Sequence, residues 1–270
     1  MSGSGGKGAV PTLRLGVAGD AGAFAATSTR AGGVSDGPLG ALNLGFRAAD
    51  SPGRVRENRS RFGEALRLDA GAFVVGRQVH GNVVAVVGRG DLGRGALSPE
   101  TAIPGCDALV TGDAGVPLLV LSADCPVVVI ADRNRPALAA AHAGWRGLLS
   151  GVLENTIDAL AARLGSLPGD LAAAIAPCIG PCCYEVGDDV VAAGRAAVPD
   201  FERHLVPGRG ERPHLDLRSV ARAILERRGL PSDAIESSPA CTRCRGEEFF
   251  SYRGSAGLCG LLGTAAVIRG

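Results

Sequence analysis

Residues 116–147 read VPLLVLSADCPVVVIADRNRPALAAAHAGWRG, and this stretch indicates the fold. It holds three continuous apolar runs, 118–121, 127–131 and 137–141, which are joined by short polar corners. A continuous apolar run is typical of a strand buried on both faces, whereas an alternating run is typical of a half-exposed strand. The polar corners leave the segment too broken to span a bilayer. The pattern therefore predicts layered β-sheets that are covered by helices.

The rest of the chain adds further strands and helices to this pattern. Short apolar runs predict strands at 73–75, 83–87, 108–111, 171–176 and 265–268. Apolar residues at helical spacing, together with capping residues, predict four helices. They begin at Ser51 and Pro52, near Leu149, at Asp188 and at Asp216, and the second ends at Gly165. We expect an α+β fold in which a single domain, residues 13–270, has mixed β-sheets layered against helices and follows a disordered, Gly/Ser-rich tail at 1–12.

Composition restricts the class of protein. The chain has 270 residues, 46% of them apolar, and a net charge of +1, which favours a packed core over disorder. A nearly neutral chain offers no general electrostatic attraction for nucleic acid. The N-terminus lacks the basic and apolar regions of a signal peptide. We therefore expect a cytoplasmic protein without a nucleic-acid or membrane partner, either a monomer or a small homo-oligomer.

Three potential metal ligands stand at polar corners beside predicted strands. His80 and Cys125 each lie between two strands, and His142 directly follows the run 137–141. Ligands and reactive groups concentrate at such positions, although each residue could instead be an ordinary packed or surface group. Two imidazoles and one thiolate form a chemically sensible metal site. We expect these three residues to be both the catalytic and the metal-binding residues.

The donor set suits zinc. Zinc accepts Cys and His in a tetrahedron, and three protein ligands leave a fourth place for water or substrate. The same set occurs in blue-copper sites, but these usually add an axial Met, and the one Met here is Met1. We expect zinc, with copper as the alternative. The other two histidines, His204 and His214, lie in a loop rich in Pro, Gly and Arg and are predicted to be exposed.

The turn Gly144, Trp145, Arg146, Gly147 follows His142 and precedes the second predicted helix. Backbone N–H groups in such a turn, together with an arginine, favour an anion. Similar turns also occur at purely structural corners, so both interpretations stay open.

Five more cysteines form two groups. In a reducing compartment such residues are more often buried thiols, metal ligands or nucleophiles than disulfides. The two groups could pair into a structural zinc site, but the first lacks the usual two-residue gap between ligands. Buried thiols near the active loops are the plainer interpretation. The groups are Cys178, Cys182 and Cys183, and Cys241 and Cys244.

Eight short motifs occur in order along the chain. They are STR with GGVS at 28–35, LNL at 42–44, ENR at 57–59, QVHG at 78–81, ADC at 123–125, HAGWRG at 142–147, IGPCCYEV at 179–186 and FSYR at 250–253. Together these motifs resemble the laccase-domain family, also called YfiH-like or purine nucleoside phosphorylase/polyphenol oxidase proteins. The resemblance covers residues 13–268, which is nearly the whole chain.

This resemblance implies a compact α+β fold and a zinc or copper site whose ligands map onto His80, Cys125 and His142. It also implies phosphorolysis of adenosine, inosine and methylthioadenosine, with adenosine deamination as a further activity. A polyphenol-oxidase activity and a role in proofreading peptidoglycan precursors are attached to the family as well. Members usually carry a Gly-Arg pair after the FSYR motif, whereas Gly257 is followed here by Leu258. That departure puts the substrate preference in doubt.

A purine nucleoside enzyme is the first functional hypothesis. Deamination needs a nucleophilic water, which a zinc ion with an open position can generate, and a proton shuttle, for which Asp124 and Glu185 are candidates. Phosphorolysis needs a phosphate held against the anomeric carbon of the sugar, so cationic donors matter. We expect Arg59 and Arg146 to supply them, with Asn43 as a polar contact and Asp124 as a further substrate-binding residue. The two arginines could instead form a surface ion pair and pack at a helix start, respectively.

Three alternatives stay open. A multicopper oxidase wants roughly ten histidines in paired motifs; the chain has four, which leaves only a single-copper polyphenol oxidase. In a cysteine hydrolase, or a peptidoglycan-precursor editing factor, Cys125 would be the nucleophile and His142 its base, and a bound metal would block this route. A structural zinc clip in a binding module would prefer a fourth protein ligand.

Overall fold

Strands and helices follow one another closely along the chain in the computed structural model, which describes residues 10–17, 22–46, 49–208 and 210–269. In these ranges the strands are β1 (Thr12–Leu15), β2 (Ala23–Ser28), β3 (Val74–Val75), β4 (Val84–Val86), β5 (Ala108–Thr111), β6 (Leu118–Ser122), β7 (Val127–Asp132), β8 (Leu138–His142), β9 (Leu171–Ile175), β10 (Leu205–Val206), β11 (His214–Leu215), β12 (Ile235–Ser237) and β13 (Leu262–Ile268). The α-helices are α1 (Pro52–Leu66), α2 (Trp145–Leu149), α3 (Val152–Leu164), α4 (Asp188–Ala197) and α5 (Leu217–Arg227).

Two mixed sheets carry most of these strands. The first has the order β1-β2-β13-β6-β3, and within it β3 and β6 run parallel while the other neighbours are antiparallel. The second has the order β12-β9-β7-β8-β5-β4, with a parallel pair at each edge and antiparallel pairs between. β10 and β11 form a separate short antiparallel ribbon.

The sheets form the two inner layers of a helix–sheet–sheet–helix arrangement. Apolar side chains of both sheets meet in one buried cluster, which includes Val120 of the first sheet and Val129 of the second. The outer face of the first sheet packs against α1, and that of the second against α3, α4 and α5. Strands β7 and β8 are buried along their whole length, as the continuous apolar runs require. The predicted α+β fold with layered mixed sheets is confirmed.

Two crossings between the sheets position the residues of interest. The chain leaves the first sheet at the end of β3 and enters the second at β4, and it does so again between β6 and β7. His80 lies in the first crossing and Cys125 in the second, while His142 ends β8. The polar corners predicted from the sequence are therefore the points where the chain changes layer.

Most predicted helix boundaries are confirmed. Ser51 is the N-cap of α1, and Asp216 caps α5 by accepting hydrogen bonds from the N–H groups of the first turn. The second predicted helix was wrong in one respect, because it is divided into α2 and α3. Gly151 separates them with a φ of +95°, a left-handed conformation that glycine adopts without steric cost. Gly165 ends α3 as predicted.

Some segments differ from the sequence-based expectation. Strands β1 and β2 were not predicted, and Thr12 of the predicted tail already lies in β1; residues 1–9 of that tail lie outside the described residues. His204 and His214 were predicted to be exposed, but both are buried. His204 packs with its Nδ1 against the Ser219 hydroxyl of α5, and His214 Nδ1 lies 2.6 Å from the Pro181 carbonyl oxygen. Across the described ranges, every helix is too short or too polar to cross a membrane.

Candidate metal centre

Three side chains converge where the two crossings meet the end of β8. The ligand atoms of His80, Cys125 and His142 all lie within 4.8 Å of one another. The two imidazole rings stand nearly perpendicular, with centroids 4.8 Å apart. His142 is buried, Cys125 is half-buried and His80 is exposed, so the cluster opens to solvent on one side. The predicted convergence is therefore observed.

Asp107, which the sequence analysis missed, organises this cluster. Its carboxylate Oδ1 lies 2.9 Å from His142 Nδ1 and accepts the backbone N–H of His80, also at 2.9 Å. Oδ2 accepts the backbone N–H groups of Val79 and Gly81, at 3.1 and 2.8 Å. One buried carboxylate thus holds both the turn that carries His80 and the ring of His142. Because Nδ1 of His142 faces this carboxylate, Nε2 is left to face the cluster.

The charges of the cluster are strongly coupled. Burial alone would lower the pKa of His142, but hydrogen bonds to Asp107 and Cys125 outweigh it and raise the pKa to about 9. Burial would raise the pKa of Cys125, but hydrogen bonds to His142 and His80 lower it to about 7. For Asp107, burial is likewise outweighed by the bonds to His142 and to backbone N–H groups, which hold its pKa below the usual value. The geometry favours a thiolate beside an imidazolium.

The backbone around the cluster is constrained to bring the side chains together. His80 and Asp124 adopt φ angles of +60° and +87°, a left-handed conformation that costs a non-glycine residue about 1 kcal/mol or more. Gly144 provides the space beside them. A Cβ at that position would lie 3.1 Å from Cys125 Sγ, 3.1 Å from a carbon of the His80 ring and 3.4 Å from a carbon of the His142 ring. Any other residue there would press on all three side chains.

These features fit a metal ion. The donor set of two imidazoles and one low-pKa thiol is the type that binds zinc or copper. A carboxylate behind one imidazole is the usual arrangement around a metal-bound histidine. Three ligands with one exposed side would leave a fourth position of a tetrahedral ion open.

A cavity of about 620 Å³ adjoins the cluster. Its wall contains the three cluster residues, four arginines and two tyrosines. The arginines are Arg59, Arg77, Arg146 and Arg253, and the tyrosines are Tyr184 and Tyr252. A cavity of this size holds a small organic molecule, and its cationic lining favours one that carries or meets an anion.

The two arginines predicted to bind an anion have different surroundings. Arg146 is exposed, stacks on Trp145 at 4.3 Å, and makes no ion pair with the described residues. Arg59 is 1% exposed and donates hydrogen bonds to the carbonyl oxygens of Leu44, Gly95 and Ala96 at 2.5–2.8 Å. Burial lowers its pKa to about 10. Arg59 therefore supports the fold as well as lining the cavity, contrary to the surface position considered for it.

Of the other predicted site residues, one lines the cavity and two do not. Asn43 is fully buried, and its side-chain amide bonds Gly45, Asp50 and Leu261, so the structure does not bring it to the cavity. Glu185 is exposed and lies outside the cavity lining. Asp124 does line the cavity, and its carboxylate accepts the Thr242 hydroxyl at 2.5 Å and the Arg253 backbone N–H at 2.7 Å.

Several residues of the site gave little signal in the sequence. Asp107 interrupts an apolar stretch directly before β5, and a buried acid at a strand start was a usable clue. Arg77 directly precedes the QVHG motif at 78–81, so its place near the site could have been inferred from that position. Tyr184 and Arg253 lie within recognised motifs, but no spacing rule assigns them to the same wall as His80.

The chain is similar in sequence and structure to known proteins. The pattern of the family described as multi-copper polyphenol oxidoreductase laccase matches residues 24–269. Purine nucleoside phosphorylase YlmD from Geobacillus stearothermophilus is 38% identical over 252 residues, 92% of this chain and 91% of that protein. Adenosine deaminase RL5, from an unknown prokaryotic organism, is 33% identical and covers 78% of this chain and 81% of its own length. The crystal structure of YlmD from G. stearothermophilus superposes with a TM-score of 0.89 at 35% identity, covering 92% of this chain and 93% of that one.

Proposed function

This chain belongs to the multi-copper polyphenol oxidoreductase laccase family, and we propose that it is a purine nucleoside phosphorylase that also deaminates adenosine. The observation that carries the proposal is the His80, Cys125 and His142 cluster at the wall of a cavity lined by arginines and tyrosines. Phosphorolysis would convert adenosine, inosine or methylthioadenosine with phosphate into the free base and ribose 1-phosphate or its methylthio analogue. Relatives named purine nucleoside phosphorylase and adenosine deaminase support this substrate class.

The cationic side of the cavity would hold phosphate. Arg146 has no competing ion pair among the described residues, and a guanidinium can bind two phosphate oxygens at once. Arg253 lies over the Tyr184 ring at 5.0 Å and donates to the Glu185 carbonyl oxygen, which fixes its direction. Holding phosphate between such groups places it against the sugar and removes the entropic cost of bringing the reactants together.

The tyrosines would hold the purine. Tyr252 is 54% exposed and lines the cavity, so its ring is available for stacking. Aromatic faces bind a heterocyclic base by offset stacking, which contributes about 0.5–1.5 kcal/mol beyond the area buried.

His80, Cys125 and His142 would hold zinc, with copper as the alternative. When bound, such an ion supplies Lewis-acid activation of an oxygen next to the substrate. Asp107 keeps the His142 proton on Nδ1, which frees Nε2 for the ion. Asp124 is the one carboxylate among the described residues that line the cavity, so we assign the proton transfer of deamination to it.

The test is a product analysis of metal-analysed protein. Adenosine is incubated with and without phosphate, and adenine, hypoxanthine and inosine are separated by chromatography. We expect adenine only when phosphate is present, and inosine in both cases, with part of the inosine converted to hypoxanthine when phosphate is present. Failure to form adenine with phosphate would refute the phosphorylase assignment, and failure to form inosine would refute the deaminase assignment.

Matched variants locate the anion site. Arg146→Lys should lower phosphorolysis about ten- to a hundred-fold, because a bidentate contact contributes about 1.5–3 kcal/mol, while deamination falls less and the melting temperature stays unchanged. Arg59→Lys should lower the melting temperature as well, since its contacts with three carbonyls are lost. The exposed Arg163 on α3 lies outside the cavity lining and serves as the control, Arg163→Lys. An unchanged phosphate dependence in Arg146→Lys would put the anion elsewhere.

One observation favours a second candidate, a cysteine hydrolase. Asp107, His142 and Cys125 are linked in the order carboxylate, imidazole, thiol, which is the arrangement that activates a nucleophilic cysteine. A chelator distinguishes the two functions. It should abolish the nucleoside reactions, whereas it should unmask a hydrolase that uses the free thiolate.

The oxidase alternative is less compatible with the available ligands. The chain has four histidines, and two of them, His204 and His214, are buried away from the cluster with hydrogen bonds of their own. A multinuclear copper centre needs many more imidazoles than the two that converge here.

A further inference from the structure

Four other cysteines meet on a second pair of loops. We call Cys182, Cys183, Cys241 and Cys244 the thiol cluster. Their sulfur atoms all lie within 4.8 Å of one another. Cys244 Sγ lies 3.5 Å from Cys182 Sγ and 3.4 Å from Cys183 Sγ. A tetrahedral zinc ion with Zn–S bonds of about 2.3 Å requires neighbouring sulfurs about 3.8 Å apart. The sulfur atoms therefore need to move apart only slightly to bind one zinc ion.

Backbone hydrogen bonds from both loops meet at Cys241. The Gly180 N–H donates to Cys241 Sγ at 3.2 Å, and the turn after Cys241 is closed by the Arg245 N–H on its carbonyl oxygen at 3.0 Å. N–H groups that point at a sulfur stabilise the thiolate, which is the form that binds a metal.

The adjacent cysteines Cys182 and Cys183 do not prevent a shared ion. They lie in a turn that starts at Gly180, where the Cys183 N–H bonds the Gly180 carbonyl oxygen at 3.0 Å. In a strand, neighbouring side chains point to opposite faces, whereas in a turn they can reach the same side. The missing two-residue gap, which made the sequence pattern look weak, is therefore compensated by the local backbone.

The surroundings balance the charge. Four thiolates around a zinc ion carry a net charge of about −2. Arg243 donates to the Cys183 carbonyl oxygen at 3.4 Å, and Arg218 lies against Gly180, where a Cβ would come within 3.0 Å of its Nη2. Two arginines thus lie beside the thiol cluster.

We propose that the thiol cluster is a second, structural zinc site, in which one ion joins the loop 178–185 to the loop 241–253. Four sulfur ligands leave no open position, which is the property that distinguishes structural from catalytic zinc sites. Both loops supply cavity residues: the first carries Tyr184, and the second carries Tyr252 and Arg253. The ion would hold one wall of the cavity in place. The site is independent of the function proposed for the first cluster.

Zinc counting by mass spectrometry of the purified, reduced protein tests this proposal. Wild type should hold about two zinc ions per chain, and Cys244→Ser and Cys125→Ser about one each, because each variant breaks one site. Cys106→Ala, which alters a buried cysteine of neither site, should keep both ions. The proposal would be overturned if wild type held one zinc ion per chain and Cys244→Ser held one as well.

Cobalt(II) substitution keeps the test decisive if Cys244→Ser does not fold. In the Cys125→Ser background only the thiol cluster can bind, so the visible spectrum reports that site alone. A tetrahedral spectrum with strong sulfur-to-cobalt charge-transfer bands supports four thiolate ligands. Absence of those bands in reduced protein would refute a zinc site.

Discussion

Replacement of Asp107 by asparagine removes one charge and one acceptor atom from the middle of the first cluster. The aspartate carboxylate faces four N–H groups, two on each oxygen: those of His80 and His142 on Oδ1, and those of Val79 and Gly81 on Oδ2. Asparagine keeps a single oxygen, so two of the four donors lose their acceptor in either orientation of the amide. A hydrogen bond to a buried charged group contributes about 1.5–3 kcal/mol.

Both orientations weaken metal binding. If the amide nitrogen faces His142, Nδ1 must act as the acceptor, the ring proton moves to Nε2, and that nitrogen can no longer bind a metal. If it faces Val79 and Gly81, the turn that carries His80 loses its anchor. We expect the free energy of unfolding to fall by about 3 kcal/mol, which corresponds to a melting temperature roughly 6–10 °C lower. Zinc affinity should fall about ten- to a hundred-fold, as for other partners of metal-bound histidine.

The assay combines chelator competition for zinc affinity with thermal unfolding of the metal-free protein. Asp113→Asn is the matched control, because this carboxylate accepts the Arg89 backbone N–H at 3.0 Å and contacts no histidine. It should leave zinc affinity unchanged. Wild-type zinc affinity and stability in Asp107→Asn would show that the carboxylate does not organise the centre.

Two further outcomes follow from the same geometry. Gly144→Ala should weaken zinc binding with little loss of stability, because its Cβ would press on Cys125 and both histidine rings. Gly90→Ala is the control and should bind zinc normally, since a Cβ there meets nothing within 4 Å. Equal zinc affinities of the two variants in a competition titration would show that Gly144 does not provide space for the site. Zinc binding should also release protons, fewer as the pH rises from about 6 to about 10, because a Cys125 pKa of about 7 and a His142 pKa of about 9 leave successively fewer protons to lose. Calorimetry in buffers of different ionisation enthalpy measures this count, and a pH-independent value would disprove the thiolate–imidazolium pair.

Buried strands and helices could be predicted from the sequence, because burial produces a local pattern of apolar residues. The fully buried strands β7 and β8 appear as continuous apolar runs. The helices α1, α4 and α5 appear as helical stripes, and α1 and α5 also begin at recognisable N-cap residues. β2 was not predicted, because its residues, AFAATS, are mostly small and without strong alternation. The division of α2 from α3 depends on one glycine φ angle, which the residue type permits but does not require.

The candidate ligands could be recognised from residue type and local position, whereas the contacts between residues distant in the chain could not. His80, Cys125 and His142 were recognisable as ligands from residue type and position at strand ends. Asp107 was not recognised, although it holds His142 and the His80 turn, whereas Asn43 was expected to contact substrate and is instead buried with hydrogen bonds to its own neighbours. Arg59 and Arg146 were given the same role and both line the cavity, yet Arg59 is buried with hydrogen bonds to carbonyl oxygens whereas Arg146 is exposed.

The sequence by itself determined most of the buried strands and helices, the residues that can bind a metal and the family motifs that are present. The tertiary structure decided which of those residues meet. Each ligand lies where the chain leaves one sheet for the other or ends a strand, so their proximity depends on strand pairings such as β5 with β8, which are many residues apart in the chain. Local patterns record the environment of a residue because burial selects its type, but they carry no record of its partners across the fold.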